Sequence, residues 1–353
     1  MDNAGAADRA PLIDGKATRS WRRVALMSLV GAMGFGLALM VVLSSTSPTN
    51  GASTAQTSPV LTKNPIIGIH AHESLFHDEF IASSYVKWVE SAGGRAVRIP
   101  YDAPKEQLLE LLSSINGILF PGGYGDPTES AAFMYNYAIA QNANGTYFPL
   151  WGTCLGLEWL VKLTSQVNDT SILDRVDARN VTSTLTFLDN ALDTSRLFGF
   201  NRVTFAPLET KALSFNYHQW AITLDHFMAT PALRSFYRVL ATSVDRRGAV
   251  YVAALEATRY PIYGIQFHPE KTPYEFGLNK HDHRPHYAID HSYEAIVASQ
   301  TFAHFFIHEA KKNAHAFPSI AGESQALLYN TPSSNRSYPS YEEVLVFSSQ
   351  NQS

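Results

Sequence analysis

The segment F-P-L-W-G-T-C-L-G-L-E-W-L, residues 148–160, decides the fold, because it turns an apolar run directly into a helical pattern. The turn holds the only cysteine of the chain, Cys154, between Gly152 and Gly156. Small residues at these two positions let the backbone bend tightly and approach its neighbours. In α/β sheets the functional site forms beyond the carboxyl ends of the strands, where helices begin. We therefore expect Cys154 at the end of a strand and at the head of a helix.

Strand and helix patterns alternate on both sides of this turn. Continuous apolar strands that alternate with amphipathic helices are typical of a parallel sheet covered on both faces. From about residue 184 the pattern changes to strands separated by turns, which predicts one α/β domain with a mixed second half. The predicted strands are 65–70, 95–101, 117–123, 147–152, 236–245, 250–255 and 260–267, and the predicted helices are 80–93, 105–115, 128–142 and 291–313.

Composition narrows the class of protein. The chain has 353 residues, of which 45% are hydrophobic, and this suits a globular protein with a sizeable core. Its net charge is -4, with 27 basic and 31 acidic residues and no basic block in the body of the chain. We therefore expect no nucleic-acid partner. A single cysteine also excludes an internal disulfide.

The N-terminal region predicts a membrane anchor. Residues 24–43 carry no charge and are long enough to cross the hydrocarbon core of a bilayer. Basic residues precede this stretch and no charge follows it until Lys63, so the positive-inside rule places the N-terminus in the cytosol. We predict a cytosolic tail (1–23), a transmembrane signal anchor (24–43), a flexible Ser/Thr/Pro-rich stem (44–62) and a lumenal domain (63–353). A cleaved signal peptide followed by secretion is the alternative.

Two further features agree with translocation. D-R-A-P-L-I, residues 8–13, resembles the acidic dileucine signal that sorts membrane proteins to lysosomes or vacuoles, although an arbitrary hexamer can look the same. N-x-S/T sequons accept glycans only in a secretory lumen. We therefore predict a single-pass type II glycoprotein of the lysosome or vacuole. The sequons begin at Asn144, Asn168, Asn180, Asn335 and Asn351.

The G-T-C-L-G turn has the shape of a nucleophile elbow with cysteine in place of serine. A helix that begins at Leu155 directs its N-terminal dipole towards the sulfur, which favours the reactive thiolate. The Leu155 N–H is placed to hold an oxyanion, and a second donor can come from P-G-G at residues 121–123. The alternative is a buried apolar cysteine without a chemical role.

A base for the thiol is offered by H-P-E, residues 268–270, which follows a predicted strand. Residues two apart in an extended chain point the same way, and Pro269 stiffens the link. His268 can take the thiol proton and return it to a leaving amine, while Glu270 orients the ring. An isolated H-P-E can also be a solvated charged turn, so its pairing with the elbow decides the interpretation.

P-G-G, G-T-C-L-G and H-P-E, in this order, resemble the class I glutamine amidotransferases with their Cys-His-Glu triad. Within that superfamily, Y-V-K-W-V-E-S-A-G (85–93) and R-Y-P-I-Y-G-I-Q-F-H-P-E-K-T-P-Y-E-F (259–276) closely resemble the γ-glutamyl hydrolases. The resemblance extends over residues 64–347. It implies a flavodoxin-like three-layer α/β sandwich with a mixed, mainly parallel central sheet. It also implies a cysteine hydrolase that cleaves folylpoly-γ-glutamates and antifolate polyglutamates without a cofactor or metal.

The resemblance assigns the reacting groups residue by residue. Cys154 is the nucleophile, His268 the base and Glu270 its partner. Gly123 and Leu155 form the oxyanion hole. A homodimer is a further implication of the family's fold.

Three more residues are implied to contact substrate, and each has a structural alternative. Tyr85 has the spacing of a core-facing helix residue. Glu158 lies one turn after the cysteine, where it can cap a helix or pair with Lys162. His218 lies among aromatic residues on a predicted strand, where it can be a satisfied core histidine.

One segment departs from the family pattern. Residues 280–291, K-H-D-H-R-P-H-Y-A-I-D-H, carry His281, His283, His286 and His291. Imidazoles and carboxylates suit zinc, but a solvated or substrate-contacting loop near the site is the favoured interpretation. Its histidines become cationic at acidic pH and would attract polyglutamate carboxylates.

Two other functions fit the same triad. A glutaminase that supplies ammonia to a synthetase uses the same residues, but no synthase domain is present and the predicted location differs. A non-catalytic lumenal binding module would keep the fold without turnover. Release of ammonia from free glutamine indicates the first, and inertness of the folded protein indicates the second.

Overall fold

The computed structural model describes residues 59–74, 78–167, 170–277, 285, 287–334 and 341–348. They belong to the unit Gln56–Ser353, one of two units into which the chain divides, the other being Met1–Ala55. The predicted tail and anchor and most of the predicted stem lie outside the described residues. Within the described ranges, no helix combines the length and apolarity that crossing a bilayer requires.

Three sheets are formed by the strands of the described part of the chain. Most of the longer strands coincide with the apolar, β-branched runs that predicted them. The strands are β1 (Ile66–His70), β2 (His72–Glu73), β3 (Glu79–Ala82), β4 (Arg95–Ile99), β5 (Gly117–Phe120), β6 (Leu150–Thr153), β7 (Asp174–Ser183), β8 (Thr186–Phe187), β9 (Ser214–Ala221), β10 (Tyr237–Val244), β11 (Val250–Ala257), β12 (Ile262–Ile265), β13 (Ser333–Ser334) and β14 (Val344–Phe347).

The largest sheet has eight strands among the described residues, in the order β4-β1-β5-β6-β12-β11-β10-β8. The first five strands in this order, β4, β1, β5, β6 and β12, run parallel to one another. The last three, β11, β10 and β8, each pair antiparallel with the strand before them. The predicted mixed, mainly parallel sheet is thereby confirmed. β6 lies between β5 and β12, so Cys154 follows a central strand. The two smaller sheets have the orders β13-β14-β3-β2 and β7-β9.

Helices cover both faces of the large sheet. Ile67 of β1 packs in a core cluster with Trp88 and Phe302, whereas its neighbour Ile66 packs in a second cluster with Leu108. Successive residues of a strand point to opposite faces, so these two clusters are the two interfaces of a three-layer sandwich. The helices are α1 (Ser83–Ser91), α2 (Lys105–Leu112), α3 (Glu129–Ala143), α4 (Leu155–Ser165), α5 (Ala191–Thr194), α6 (Arg196–Gly199), α7 (Arg202–Phe205), α8 (Leu224–Ala229), α9 (Pro231–Phe236), α10 (Lys271–Tyr274), α11 (Tyr293–Ala310) and α12 (Ile320–Ala326).

One helix begins later than its spacing predicts. The pattern of residues 80–93 predicts a helix throughout, but its first residues belong to β3 and α1 begins only at Ser83. β3 pairs antiparallel with β14, so that Phe80 lies opposite Val346. Phe and Ile fit a strand well, and a partner strand from a distant part of the chain overrides the local helical spacing.

The second half contains elements that the sequence pattern did not show. The short helices α5 to α9 occupy a region where only strands and turns were predicted. Each spans four to six residues, too short for the period of a helix to repeat. The ribbon of β7 and β9 was also only partly foreseen, and it carries His218 to the site.

Candidate active site

Cys154 occupies a strained turn between β6 and α4. Its φ of 52° and ψ of -105° lie where residues other than glycine are rarely found. A Cβ on Gly152 would lie 2.6 Å from the backbone of Gly156, and one on Gly156 would lie 2.2 Å from the Phe120 carbonyl oxygen. The turn therefore has the tight geometry expected of an elbow, and both glycines are required by close backbone approach.

His268 lies at the same end of the sheet as Cys154 because their strands are neighbours. β6 pairs in parallel with β12, with Thr153 opposite Ile265, and the Cys154 N–H donates to the Ile265 carbonyl oxygen at 2.8 Å. His268 follows shortly after Ile265, at the same end of the sheet. Its own N–H donates to the Phe215 carbonyl oxygen of β9 at 2.8 Å. Three strands thus fix the positions of thiol and imidazole.

His268 and Glu270 form a buried pair. His268 Nδ1 donates to Glu270 Oε1 at 2.7 Å. Since a carboxylate only accepts, the ring proton lies on Nδ1, and Nε2 keeps a lone pair for a thiol proton. The other carboxylate oxygen, Oε2, has no hydrogen-bond partner in the part of the chain that the structure covers. The pair has the arrangement of a base and its orienting carboxylate.

The environment of the sulfur favours the thiol over the thiolate. The Cys154 side chain is buried, and burial raises its pKa well above the ordinary value. The Glu158 and Glu270 charges raise it further, whereas the Leu155 N–H and the Lys271 charge lower it. The helix terminus thus acts in the expected direction but does not dominate. A base must remove the proton when substrate arrives.

The turn that carries Gly123 lies against the imidazole. A Cβ on Gly122 would lie 2.5 Å from His268 Cε1. The Gly122 N–H donates to the Tyr85 hydroxyl at 2.7 Å, and His72 Nε2 donates to the Gly122 carbonyl oxygen at 3.0 Å. Tyr85 is also buried in the core, as its core-facing alternative predicts, and a contact with substrate stays a prediction. The predicted oxyanion loop is therefore adjacent to the predicted base.

Glu158 lies beside the thiol. Gln266 Nε2 donates to Glu158 Oε1 at 3.2 Å and lies 3.8 Å from Cys154 Sγ. Burial raises the pKa of Glu158 to about 7, although the Gln266 bond and the Lys162 charge lower it. Lys162, the alternative partner considered for Glu158, instead hydrogen-bonds Asp126 at 2.7 Å. Glu158 is thus a carboxyl group that can carry a proton in neutral and acidic solution.

His218 is buried near the triad on β9. Its Nδ1 donates to the Trp220 carbonyl oxygen at 2.9 Å, and its Nε2 lies 3.2 Å from Asn216 Oδ1. Burial lowers the pKa of His218 to about 3, and the charge of His268 lowers it as well. The ring is therefore neutral and held by protein oxygens, as in the core-histidine alternative. A role in binding substrate stays a prediction.

Four residues near the site were not singled out by the sequence. Gln266 and Lys271 adjoin H-P-E, so the neighbourhood of the motif could have indicated them. The Lys271 ammonium is buried and lies 4.4 Å from the centre of the Tyr341 ring. His72 and Tyr341 carry no such signal, because they reach the site from distant segments of the chain.

The histidine-rich segment is described only in part. His291 Nδ1 donates to the Thr272 carbonyl oxygen at 2.7 Å, and its ring stacks on Phe276 with 4.9 Å between centroids. In the ranges that the structure covers, no three His, Cys, Asp or Glu side chains are grouped to hold a metal. The segment's other histidines lie outside the described residues: His281, His283 and His286.

Comparisons with known proteins identify the family. The Peptidase C26 model matches residues 65–270, a range that includes the whole predicted triad. Gamma-glutamyl hydrolase of Bos taurus is 35% identical over 298 residues, which cover 81% of this chain and 90% of the relative. Gamma-glutamyl hydrolase 1 of Arabidopsis thaliana is 35% identical over 304 residues, 82% of this chain and 84% of the relative. Among solved structures, the glutaminase domain of Trypanosoma brucei CTPS with bound acivicin has a TM-score of 0.45 at 15% identity, covering 71% of this chain and 95% of that chain. The family expected from the longer segments, such as 85–93 and 259–276, is confirmed, and the chain belongs to the Peptidase C26 family, in which these relatives are gamma-glutamyl hydrolases.

Proposed function

We propose that the chain is a lumenal cysteine hydrolase that cleaves the γ-glutamyl bonds of folylpoly-γ-glutamates and of antifolate polyglutamates. The observation that carries this proposal is that a strained cysteine and a buried His–Glu pair follow the carboxyl ends of the neighbouring strands β6 and β12. The family match and the names of the relatives support the type of bond.

In the first half of the reaction, His268 Nε2 takes the thiol proton and Cys154 Sγ attacks the γ-carbonyl carbon. The carbonyl oxygen becomes an oxyanion, which the N–H groups of Leu155 and Gly123 hold. His268 then gives its proton to the nitrogen of the departing glutamate, the C–N bond breaks and a thioester remains. Glu270 holds the ring and stabilises its charged form.

In the second half, a water molecule gives a proton to His268 while its oxygen attacks the thioester carbon. The C–S bond breaks, the γ-carboxyl group is released, and the sulfur recovers its proton from His268. The triad is thereby restored, and no other reactant is consumed.

Tyr85, Glu158 and His218 are proposed to contact the glutamyl group being cleaved. Burial raises the pKa of Glu158 to about 7, so this carboxyl is neutral in the acidic lumen of a lysosome or vacuole. A neutral carboxyl does not repel an anionic polyglutamate tail and can donate a hydrogen bond to it. The proposed site is therefore better suited to its substrate in acid than in neutral solution.

The test compares the purified full-length protein with Cys154→Ala, each incubated with pteroylpenta-γ-glutamate at about pH 5. Product masses should show a shortened tail with the wild type and an intact tail with the variant. If both proteins unfold cooperatively but neither cleaves the substrate, the proposal fails. Ammonia release from free glutamine would then indicate a glutaminase, and complete inertness would indicate a binding module.

We also propose that residues 24–43 anchor the chain as a type II membrane protein. The uncharged stretch and the basic residues before it support this topology. Asn144, exposed at the end of α3, is a suitable glycan acceptor in a lumenal domain. The anchored protein should resist extraction by alkaline carbonate and should shrink on endoglycosidase treatment. Release into the carbonate supernatant would favour the cleaved, secreted form, and light scattering would test the proposed homodimer.

A further inference from the structure

The carbonyl group of Gly122 is held by His72, a residue outside all three motifs. His72 Nε2 donates a hydrogen bond to this oxygen at 3.0 Å. Because a carbonyl oxygen only accepts, the proton of the neutral imidazole lies on Nε2. Burial lowers the pKa of His72 to about 4, so the ring keeps this neutral form in weakly acidic and neutral solution.

This bond matters because the Gly122 oxygen and the Gly123 N–H belong to the same peptide group. In a planar trans peptide, the C=O and N–H bonds point in opposite directions. A carbonyl oxygen held against His72 therefore turns the Gly123 N–H away from His72. A Gly-Gly peptide has little conformational preference of its own, since neither residue carries a Cβ. Its orientation depends on its partners.

The other contacts of the turn hold different peptide groups. The Gly122 N–H donates to the Tyr85 hydroxyl at 2.7 Å, and Trp159 Nε1 donates to the Gly125 carbonyl oxygen at 3.0 Å. They fix the entry and the exit of the turn. The peptide group between Gly122 and Gly123 is held by the hydrogen bond from His72.

His72 is itself held firmly. It lies on β2 with its side chain buried, and its ring centroid is 6.0 Å from that of Trp159 and 5.9 Å from that of Phe80. A Cβ on Gly123 would approach His72 Nε2 to 2.7 Å, so the imidazole fills the space that glycine leaves. The ring is therefore a rigid donor, set before substrate binds.

We propose that His72 is a positioning residue that directs the Gly123 N–H towards the oxyanion. The inference rests on the proposed function, because an oxyanion arises only if Cys154 attacks a carbonyl carbon. His72 acts through the peptide bond and touches no reacting atom. Its loss should therefore slow acylation without weakening the binding of substrate.

The test uses the full-length protein and two substitutions of His72. His72→Phe keeps a flat ring but removes the donor, whereas His72→Gln supplies an N–H donor again. His70→Phe is the matched control. The His70 ring is also buried and packs on Trp159 at 5.4 Å, but its Nε2 bonds Ser130 Oγ at 3.1 Å instead of the turn.

Two measurements separate positioning from general damage. The first is kcat and KM for cleavage of pteroylpenta-γ-glutamate. The second is the rate of Cys154 alkylation by iodoacetamide, a displacement that needs the thiolate but forms no oxyanion. A variant that has lost only the direction of the Gly123 N–H should be slow in the first reaction and normal in the second.

Deleting an oxyanion donor outright costs about 10²- to 10³-fold in kcat, and a misdirected donor should cost less, about 10- to 100-fold in His72→Phe. KM should change by less than about 3-fold, and His72→Gln should return to within about 5-fold of wild-type kcat. Alkylation should stay within about 2-fold of wild type in every variant, and His70→Phe should keep its kcat within about 3-fold.

Wild-type kcat in His72→Phe would overturn the inference. So would an equal loss in His70→Phe, or a parallel loss of alkylation, because either marks a general packing defect. If His72→Phe does not fold, His72→Leu is judged by the same criteria. A wild type that cannot cleave, or a Cys154→Ala variant that can, refutes the proposed function itself and the inference with it. Failure confined to the His72 variants leaves the proposed function standing.

Discussion

Replacing Glu158 with glutamine tests the charge state of the carboxyl beside the thiol. Glu158 is 7% exposed, and burial raises its pKa from 4.5 to about 7. A carboxyl whose pKa is higher in the folded than in the unfolded state destabilises the fold when it is charged. The cost is absent below about pH 4.5, where the group is neutral in both states, and complete above about pH 7, where it is charged in both.

This change in pKa corresponds to about 3 kcal/mol of unfolding free energy. Glutamine has nearly the same shape, can accept the Gln266 hydrogen bond through its amide oxygen and does not ionise. The unfolding free energy of Glu158→Gln should therefore equal that of the wild type at about pH 4.5 and exceed it by about 3 kcal/mol at about pH 8. The wild type loses this stability as the pH rises between these limits.

The assay is urea unfolding followed by tryptophan fluorescence, with both proteins measured across this pH range. Glu110→Gln, an exposed position on α2, controls for the exchange of a carboxylate for an amide. A stability difference that is the same at every pH would refute the reasoning. If the wild type instead became more stable than Glu158→Gln as the pH rises, the sign of the predicted effect would be wrong.

The remaining predictions concern the triad, the elbow and the core. Glu270→Gln removes the carboxylate that orients His268, so steady-state kcat should fall by about 10³-fold or more, and an unchanged kcat would remove Glu270 from the triad. Gly156→Ala places a methyl group 2.2 Å from the Phe120 carbonyl oxygen and should lower the unfolding free energy by about 2–3 kcal/mol or more. Wild-type stability in urea would show that α4 can shift there. Phe302→Ala empties a fully buried site under α11 and should cost about 3–5 kcal/mol in urea unfolding, whereas a cost under about 1 kcal/mol would contradict the packing described.

The parts of the site that the sequence predicted are those that lie close together in the chain. The elbow at Cys154 follows from its glycines and the change of pattern around them. The contact between His268 and Glu270 was predicted as well, but from an extended chain, whereas Pro269 and Glu270 form a turn with Glu270 in the right-handed helical region. The position of Cys154 and this pair at one edge of the sheet follows from parallel strand order, because parallel strands carry their carboxyl ends to one edge.

The parts that escaped prediction depend on pairing between distant segments. Phe80 has helical spacing with the residues after it, yet it joins β14 in a sheet. His72 lies on β2, which pairs with β3, and from there its ring contacts Gly122 in the predicted oxyanion loop. The direction of the pKa shift of Cys154 also escaped prediction. Burial raises this pKa more than the helix terminus lowers it, and the depth of burial is a property of the assembled core.

The positive φ of Cys154 has an evolutionary consequence. A residue with a Cβ in such a conformation costs about 1–3 kcal/mol, and glycine adopts it with little penalty. Under the proposed role of Cys154 as nucleophile, selection for catalysis is what keeps a side chain at this position. In a descendant freed from that selection, drift should lead to glycine more often than to alanine, because glycine also relieves the turn. The residue found at this position would thus separate active descendants from those that have kept the fold for another purpose.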